Sequence, residues 1–134
     1  MEVVSGVAQG SVIGPASFVS FINDLPDVVS SNFYMFADDT KMYRGIDKVS
    51  DRHELQSDTD NLVTWSTTWR LLFNPLKCKV MTLGRTSETL IFSMNLSDSN
   101  VTNTEICYSE KDLGIIIDEL NFAEHIAMVS KKAN

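Results

Sequence analysis

The 134-residue sequence is poor in residues that staple or break a chain, with two cysteines, three prolines and six glycines. Cys78 and Cys107 have no Cys or His near enough for metal-ligand spacing. That excludes a disulfide scaffold and a zinc finger and makes a reduced, intracellular compartment the expectation. Long apolar runs are missing too. Stretches such as Leu62-Val63 and Ile115-Ile116-Ile117 fall far short of the roughly 20 residues a membrane span needs. Met1-Glu2-Val3-Val4-Ser5 lacks the basic and apolar regions of a secretory signal, so no membrane partner is expected and the sequons at Asn95 and Asn100 read as chance. Positive charge is scarce: eleven Lys and Arg against eighteen Asp and Glu leave a net charge of −7. That argues against tight nucleic-acid binding by electrostatics alone, which depends on neutralising phosphates and would need a local basic patch or neighbouring segments.

What is present suits one globular unit, with 43% hydrophobic and 22% charged residues. Gly6, Gly10 and Gly14 punctuate a loop, and Pro15 opens a helical pattern through Phe18, Phe21, Ile22 and Leu25 that ends at Pro26. Asn32 to Phe36 and Thr40 to Tyr43 suit two strands joined through Ala37-Asp38-Asp39. Ser50 is the expected N-cap of a long amphipathic helix with Leu55, Leu62, Trp65 and Trp69 on one face, running to about Trp69. Leu71-Leu72-Phe73 and Lys79 to Leu83 read as short extended pieces. The alternation of Leu90, Phe92, Met94 and Leu96 predicts a half-buried strand, with a turn at Asp98-Ser99-Asn100 and a partner around Thr104 to Tyr108. Leu113 to Ile117 is a further strand, and Asn121 caps the start of a last helix.

Adjacent aspartates at a hairpin tip repel one another, since like charges within a few ångströms raise each other's pKa, and a hard cation removes that cost. Carboxylate oxygens are the preferred ligands of Mg²⁺, which fills its remaining positions with waters and substrate phosphates. Taken alone, Asp38-Asp39 reads first as a solvated acidic turn.

Its surroundings alter that reading. Gly6-Val7-Ala8-Gln9-Gly10-Ser11-Val12-Ile13-Gly14-Pro15 with Phe21-Ile22-Asn23-Asp24-Leu25-Pro26 resembles motif B of the reverse transcriptases of LINE-type (non-LTR) retrotransposons. Phe36-Ala37-Asp38-Asp39-Thr40-Lys41-Met42-Tyr43 resembles motif C. Trp65-Ser66, Trp69, Phe73-Asn74, Lys77-Cys78-Lys79-Val80-Met81 and Leu83-Gly84 are similar to motif D, and Lys111-Asp112-Leu113-Gly114-Ile115 with Asp118 and His125-Ile126 to motif E and the start of the thumb. Four motifs in the family's order are far more specific than any one of them.

The resemblance implies an α+β fold: a partial palm over residues 1–118 with an antiparallel sheet on the motif C hairpin and packed helices, then the start of a thumb or connection helix over 119–134. It implies RNA-directed DNA synthesis with an RNA template, a DNA primer and deoxynucleotides as partners, in the nucleus or cytoplasm. Asp38 and Asp39 would be catalytic ligands of a two-ion Mg²⁺ site, with Lys77 the general acid for pyrophosphate. Gly6, Gln9, Gly10 and Phe36 would line the nucleotide pocket, and Leu113 and Gly114 would grip the primer end. Simpler roles stay open: Gln9 bonding its own loop, Lys77 as a solvated lysine, Phe36 in the core as well as at the pocket wall. Trp65 and Trp69 read as packing rather than base-stacking platforms, and His53 and His125 receive no catalytic role.

Motif A, which carries the family's third metal-binding aspartate, precedes motif B and is not found in these residues. The expectation is therefore a palm fragment, inactive alone, with weak or no nucleic-acid binding and an incomplete metal site. The alternative is a non-catalytic protein-interaction module or a non-functional retrotransposon relic.

Overall fold

Proline lacks the N–H that a helix interior needs, but the first turn has no intrahelical use for that group. Helix α1 (Ile13–Phe21) accordingly starts two residues before Pro15 and ends with the Ile22 amide donating to Phe18 at 3.1 Å. The computed structural model describes residues 12–84, 90–97, 100–113, 115–118 and 130. The glycine loop at Gly6 to Gly10 and the helix expected from Asn121 lie outside these, apart from a helical Ser130. The chain divides into two compact units, Met1–Leu72 and Phe73–Asn134.

In the first unit, Pro26 sits in a 3-10 turn, Leu25–Val28, which leads into an antiparallel hairpin of β1 (Asn32–Phe36) and β2 (Asp39–Tyr43). Helix α2 (Val49–Thr68) follows, 20 residues long and so about 30 Å. Its N-terminus corrects the expected Ser50 cap. The Asp51 carboxylate reaches back to the amides of Lys48 at 2.8 Å and Asp47 at 2.9 Å, and Lys48 occupies the cap position. A carboxylate in the first turn makes charge-assisted bonds and complements the helix dipole, which a serine hydroxyl cannot match. Those two amides hold the Asp51 pKa below the usual carboxylate range.

The core of this unit lies between α2 and the 3-10 turn. Ile22, Leu25, Leu62, Val63 and Trp65 are buried. The Trp65 indole donates to Asp24 at 3.2 Å and the Asn61 amide to the Val28 carbonyl at 3.1 Å. Phe21 meets Trp65 and Trp69 edge-on, with centroids 6.3 and 5.6 Å apart, so packing is the role of Trp65, while Trp69 is half exposed. Ser66 is fully buried and satisfied by the Val63 carbonyl at 2.9 Å.

The second unit carries a 3-10 turn (Pro75–Lys77) and six short strands. Here β3 (Lys79–Val80) pairs in parallel with β6 (Glu105–Ile106), β4 (Ser93–Ser97) with β5 (Asn100–Asn103), and β7 (Ser109–Asp112) with β8 (Ile115–Asp118). Phe92 and Met94 are buried on the face that alternation predicts. The partner of β4 is 100–103 rather than Thr104 to Tyr108: Thr104 gives amide and hydroxyl to the Phe92 carbonyl, each at 2.9 Å, at the end of the ladder, and Glu105 and Ile106 then pair with β3 instead. Residues 71–73 form no strand. The α+β class holds, with the described strands in four two-stranded ladders, one of them parallel, instead of one antiparallel sheet.

Helix α2 ends without glycine. Arg70 takes the left-handed conformation, φ +56°, while its amide bonds Thr67 at 3.2 Å and the Leu71 amide bonds Ser66 at 2.9 Å, the pattern of a Schellman cap. A side chain there is strained where glycine is not. Arg70→Gly should raise unfolding stability by about 1 kcal/mol in urea denaturation; an unchanged or lowered stability would show that the cap is unstrained.

Candidate functional site at the β1–β2 hairpin

Strand alternation sorts the hairpin into two faces. Ladder partners Phe33 with Met42 and Met35 with Thr40 are half-buried, while Asn32 with Tyr43, Tyr34 with Lys41 and Phe36 with Asp39 are exposed. Ala37 and Asp38 make the connecting turn, with Ala37 at φ +54°, and Asp39 is already the first residue of β2. Both carboxylates stand exposed at the tip.

Phe36 corrects one expectation. It is 61% exposed and therefore outside the core, since period two sets it beside Tyr34 and leaves the covered face to Phe33 and Met35. Tyr34 and Tyr43 stack on the exposed face, centroids 5.8 Å apart and planes 2° from parallel, with hydroxyls 3.5 Å apart. That hydrogen bond and the Tyr34 phenol's charge push the Tyr43 pKa up from its ordinary value.

The other expected site residues are placed only in part. Gly6, Gln9, Gly10 and Gly114 lie outside the described residues. Lys77 is exposed at the end of the 3-10 turn of the second unit, and Leu113, φ +45° and 57% exposed, stands at the tip of the β7–β8 hairpin. Among the described residues no group of three or more His, Cys, Asp or Glu could hold a metal ion by itself. Two exposed carboxylates at one turn still have the chemistry Mg²⁺ takes from protein when water and phosphate complete its shell.

A residue that sequence reasoning missed holds the other end of the hairpin. Asp58 of α2 is 3% exposed, and both its oxygens are used. Oδ1 accepts from the Ser30 amide at 2.9 Å, and Oδ2 accepts from the Ser31 amide at 2.8 Å and the Ser31 hydroxyl at 2.5 Å. The Ser30 hydroxyl reaches Oδ2 at 3.1 Å, and Arg44 Nη1 lies 3.7 Å from the same oxygen. Arg44 also donates to Ser30 at 3.1 Å, to Ser31 at 3.0 Å and to Glu54. The available signal was a charged residue three positions after Leu55 and four before Leu62, on the apolar stripe, where a carboxylate needs buried donors.

A family model described as Reverse transcriptase (RNA-dependent DNA polymerase) matches residues 2–117. The chain therefore belongs to the reverse transcriptase family. No curated protein and no solved structure matches it. Among the described residues no helix is long and apolar enough to cross a membrane.

Burial pushes the Asp58 pKa up, but the hydrogen bonds from Ser31 and Ser30 outweigh it and hold the carboxyl below its usual range. A native pKa below the unfolded value means that the unfolded chain binds more protons in that window, so stability rises with pH there. The contribution is full above about pH 4 and is lost as pH falls through the lowered native value. Stability measured by urea denaturation between about pH 5 and pH 2 should fall, and fall less steeply in Asp58→Asn, with the remainder from Asp51. Equal slopes in both proteins would show that Asp58 is not held ionised.

Proposed function

We propose that the chain is the palm segment, motif B through motif E, of a LINE-type (non-LTR) retrotransposon reverse transcriptase, and that these 134 residues alone do not polymerise. The observation that carries the reading is the tight turn that sets Asp38 and Asp39 at a hairpin tip, within a stretch matched by the reverse transcriptase family model. The reaction of the intact enzyme is metal-dependent nucleotidyl transfer onto a DNA primer directed by an RNA template.

Asp38 and Asp39 hold Mg²⁺ in this reading, Asp38 the more directly. Metal bound there would supply Lewis-acid activation of the primer 3′-hydroxyl and neutralise charge on the leaving pyrophosphate. Lys77, an ammonium donor, gives a proton to the pyrophosphate oxygen. Gly6 and Gly10 let backbone come close to the incoming nucleotide, which Gln9 and Phe36 help to enclose, and Leu113 with Gly114 holds the primer end. The family's third carboxylate belongs to motif A, so a polypeptide of these residues supplies two ligands to a site that takes three. A net charge of −7 also works against holding a primer–template duplex. Exposed Tyr34, Phe36 and Tyr43 favour a second reading as a protein-interaction module, with which the net charge is compatible and whose apolar binding would be insensitive to salt.

The 134-residue chain should not extend a DNA primer on an RNA template with Mg²⁺ and deoxynucleotides. It should bind Mg²⁺ with millimolar affinity, about −4 kcal/mol, weakened by Asp38→Asn in calorimetry. Extension abolished by Asp38→Ala, or Mg²⁺ binding indifferent to Asp38→Asn, would contradict the reading.

A further inference from the structure

The β1–β2 hairpin is fastened at its base and exposed at its tip. Ser31 directly precedes Asn32 and Arg44 directly follows Tyr43, and Asn32 with Tyr43 is the last pair of the ladder. Both legs therefore leave the ladder into one knot of bonds around the Asp58 carboxylate, which lies nine residues into α2 from its first residue Val49. From that pair to Phe36 with Asp39 the ladder runs four more pairs, or about 14 Å at roughly 3.4 Å each. A lever of that length magnifies movement at its root. A tilt of about 10° at the base carries the tip about 2.5 Å, well beyond the roughly 0.5 Å tolerance of a working metal or catalytic constellation.

We propose that Asp58, through Ser30, Ser31 and Arg44, is the positioning residue of the Asp38-Asp39 tip: it sets the angle of the hairpin on α2 and so where the two carboxylates stand. The inference rests on the reading of that tip as a metal-binding pair. Asp58 touches no substrate and acts at the base alone. Its bonds suit the task. Two, one on each oxygen, come from consecutive backbone amides of the incoming leg, so the main chain itself is held, and Arg44 of the outgoing leg forms an ion pair with Oδ2 and, through Glu54, a second tie to the same helix. A carboxylate accepts all of these at once, whereas a carboxamide replaces one accepting oxygen with a donor that faces other donors. Asp58 is 3% exposed, so a donor left unpaired beside it is costly, and Arg44 keeps Ser30, Ser31 and Glu54 but loses its charge partner at the base.

The test compares the 134-residue chain with Asp58→Asn and with Leu62→Val, a core truncation on the same helix, by solution NMR. Residual dipolar couplings give the direction of the β1–β2 amides relative to those of α2, and titration with Mn²⁺, a hard cation that broadens nearby signals, gives affinity at the Ala37 and Asp38 amides. Asp58→Asn should rotate or disorder the hairpin amides relative to α2 and weaken Mn²⁺ binding at the tip about tenfold, while Leu62→Val changes neither. Unchanged couplings in a folded Asp58→Asn, or equal changes in Leu62→Val, would overturn the proposal. Couplings that change in a parent chain showing no Mn²⁺ effect at the tip would uphold the positioning role and overturn the metal reading instead. If Asp58→Asn does not fold, Ser31→Ala, which removes the 2.5 Å bond and leaves the carboxylate, is read by the same criteria.

Discussion

A buried carboxylate is the constraint on which the first unit depends. Taking Asp58 out of water is unfavourable by several kcal/mol unless donors replace the lost hydration. The donors here come from Ser30 and Ser31, and the Arg44 guanidinium from the other side of the β-hairpin stands 3.7 Å from the carboxylate. The incoming leg meets that demand through Ser30 and Ser31, and Arg44 brings the outgoing leg to the same carboxylate, so the charge favours one placement of hairpin on helix. The apolar contacts among Leu25, Leu62 and Trp65 are less particular about direction and hold the 3-10 turn to the same helix.

That placement gives the hairpin an asymmetric character. Its base is tied by ionic and backbone bonds, one face is half covered, and the other face and the tip are open to solvent with Tyr34, Phe36, Lys41, Asp38 and Asp39 on them. A surface that must meet metal ions and substrate is better held from behind than packed over. In the reading proposed above, the exposed aromatic and acidic tip, held at its base, is a site that other groups complete.

The sequence made the hairpin legible because alternation, aromatic content and the Ala37-Asp38-Asp39 break coincide, and α2 because Leu55, Leu62, Trp65 and Trp69 recur at helical spacing over about four turns. Its stop was harder to read, since Arg70 fills a position that usually carries glycine. The two-residue strands β3 and β6 are too short for any period to show, and they pair over a separation that no local pattern encodes. Asp38 and Asp39 stood out as adjacent like charges. Asp58 did not, because a single acidic residue among Gln56, Ser57, Thr59 and Asp60 looks like part of a solvated face until the fold turns it inward. Phe36 failed in the opposite sense: hydrophobicity pointed to the core, and strand phase pointed outward.

The central claim is that Asp58 and its serine partners act as one unit, and a double-mutant cycle measures that directly. Urea denaturation of the parent chain, Asp58→Asn, Ser31→Ala and the double variant yields the coupling free energy between the two side chains. A coupling of about 1–3 kcal/mol is predicted, because the charge-assisted 2.5 Å bond is removed by Ser31→Ala and loses its charge in Asp58→Asn. Additive losses, with coupling below about 0.5 kcal/mol, would contradict the account.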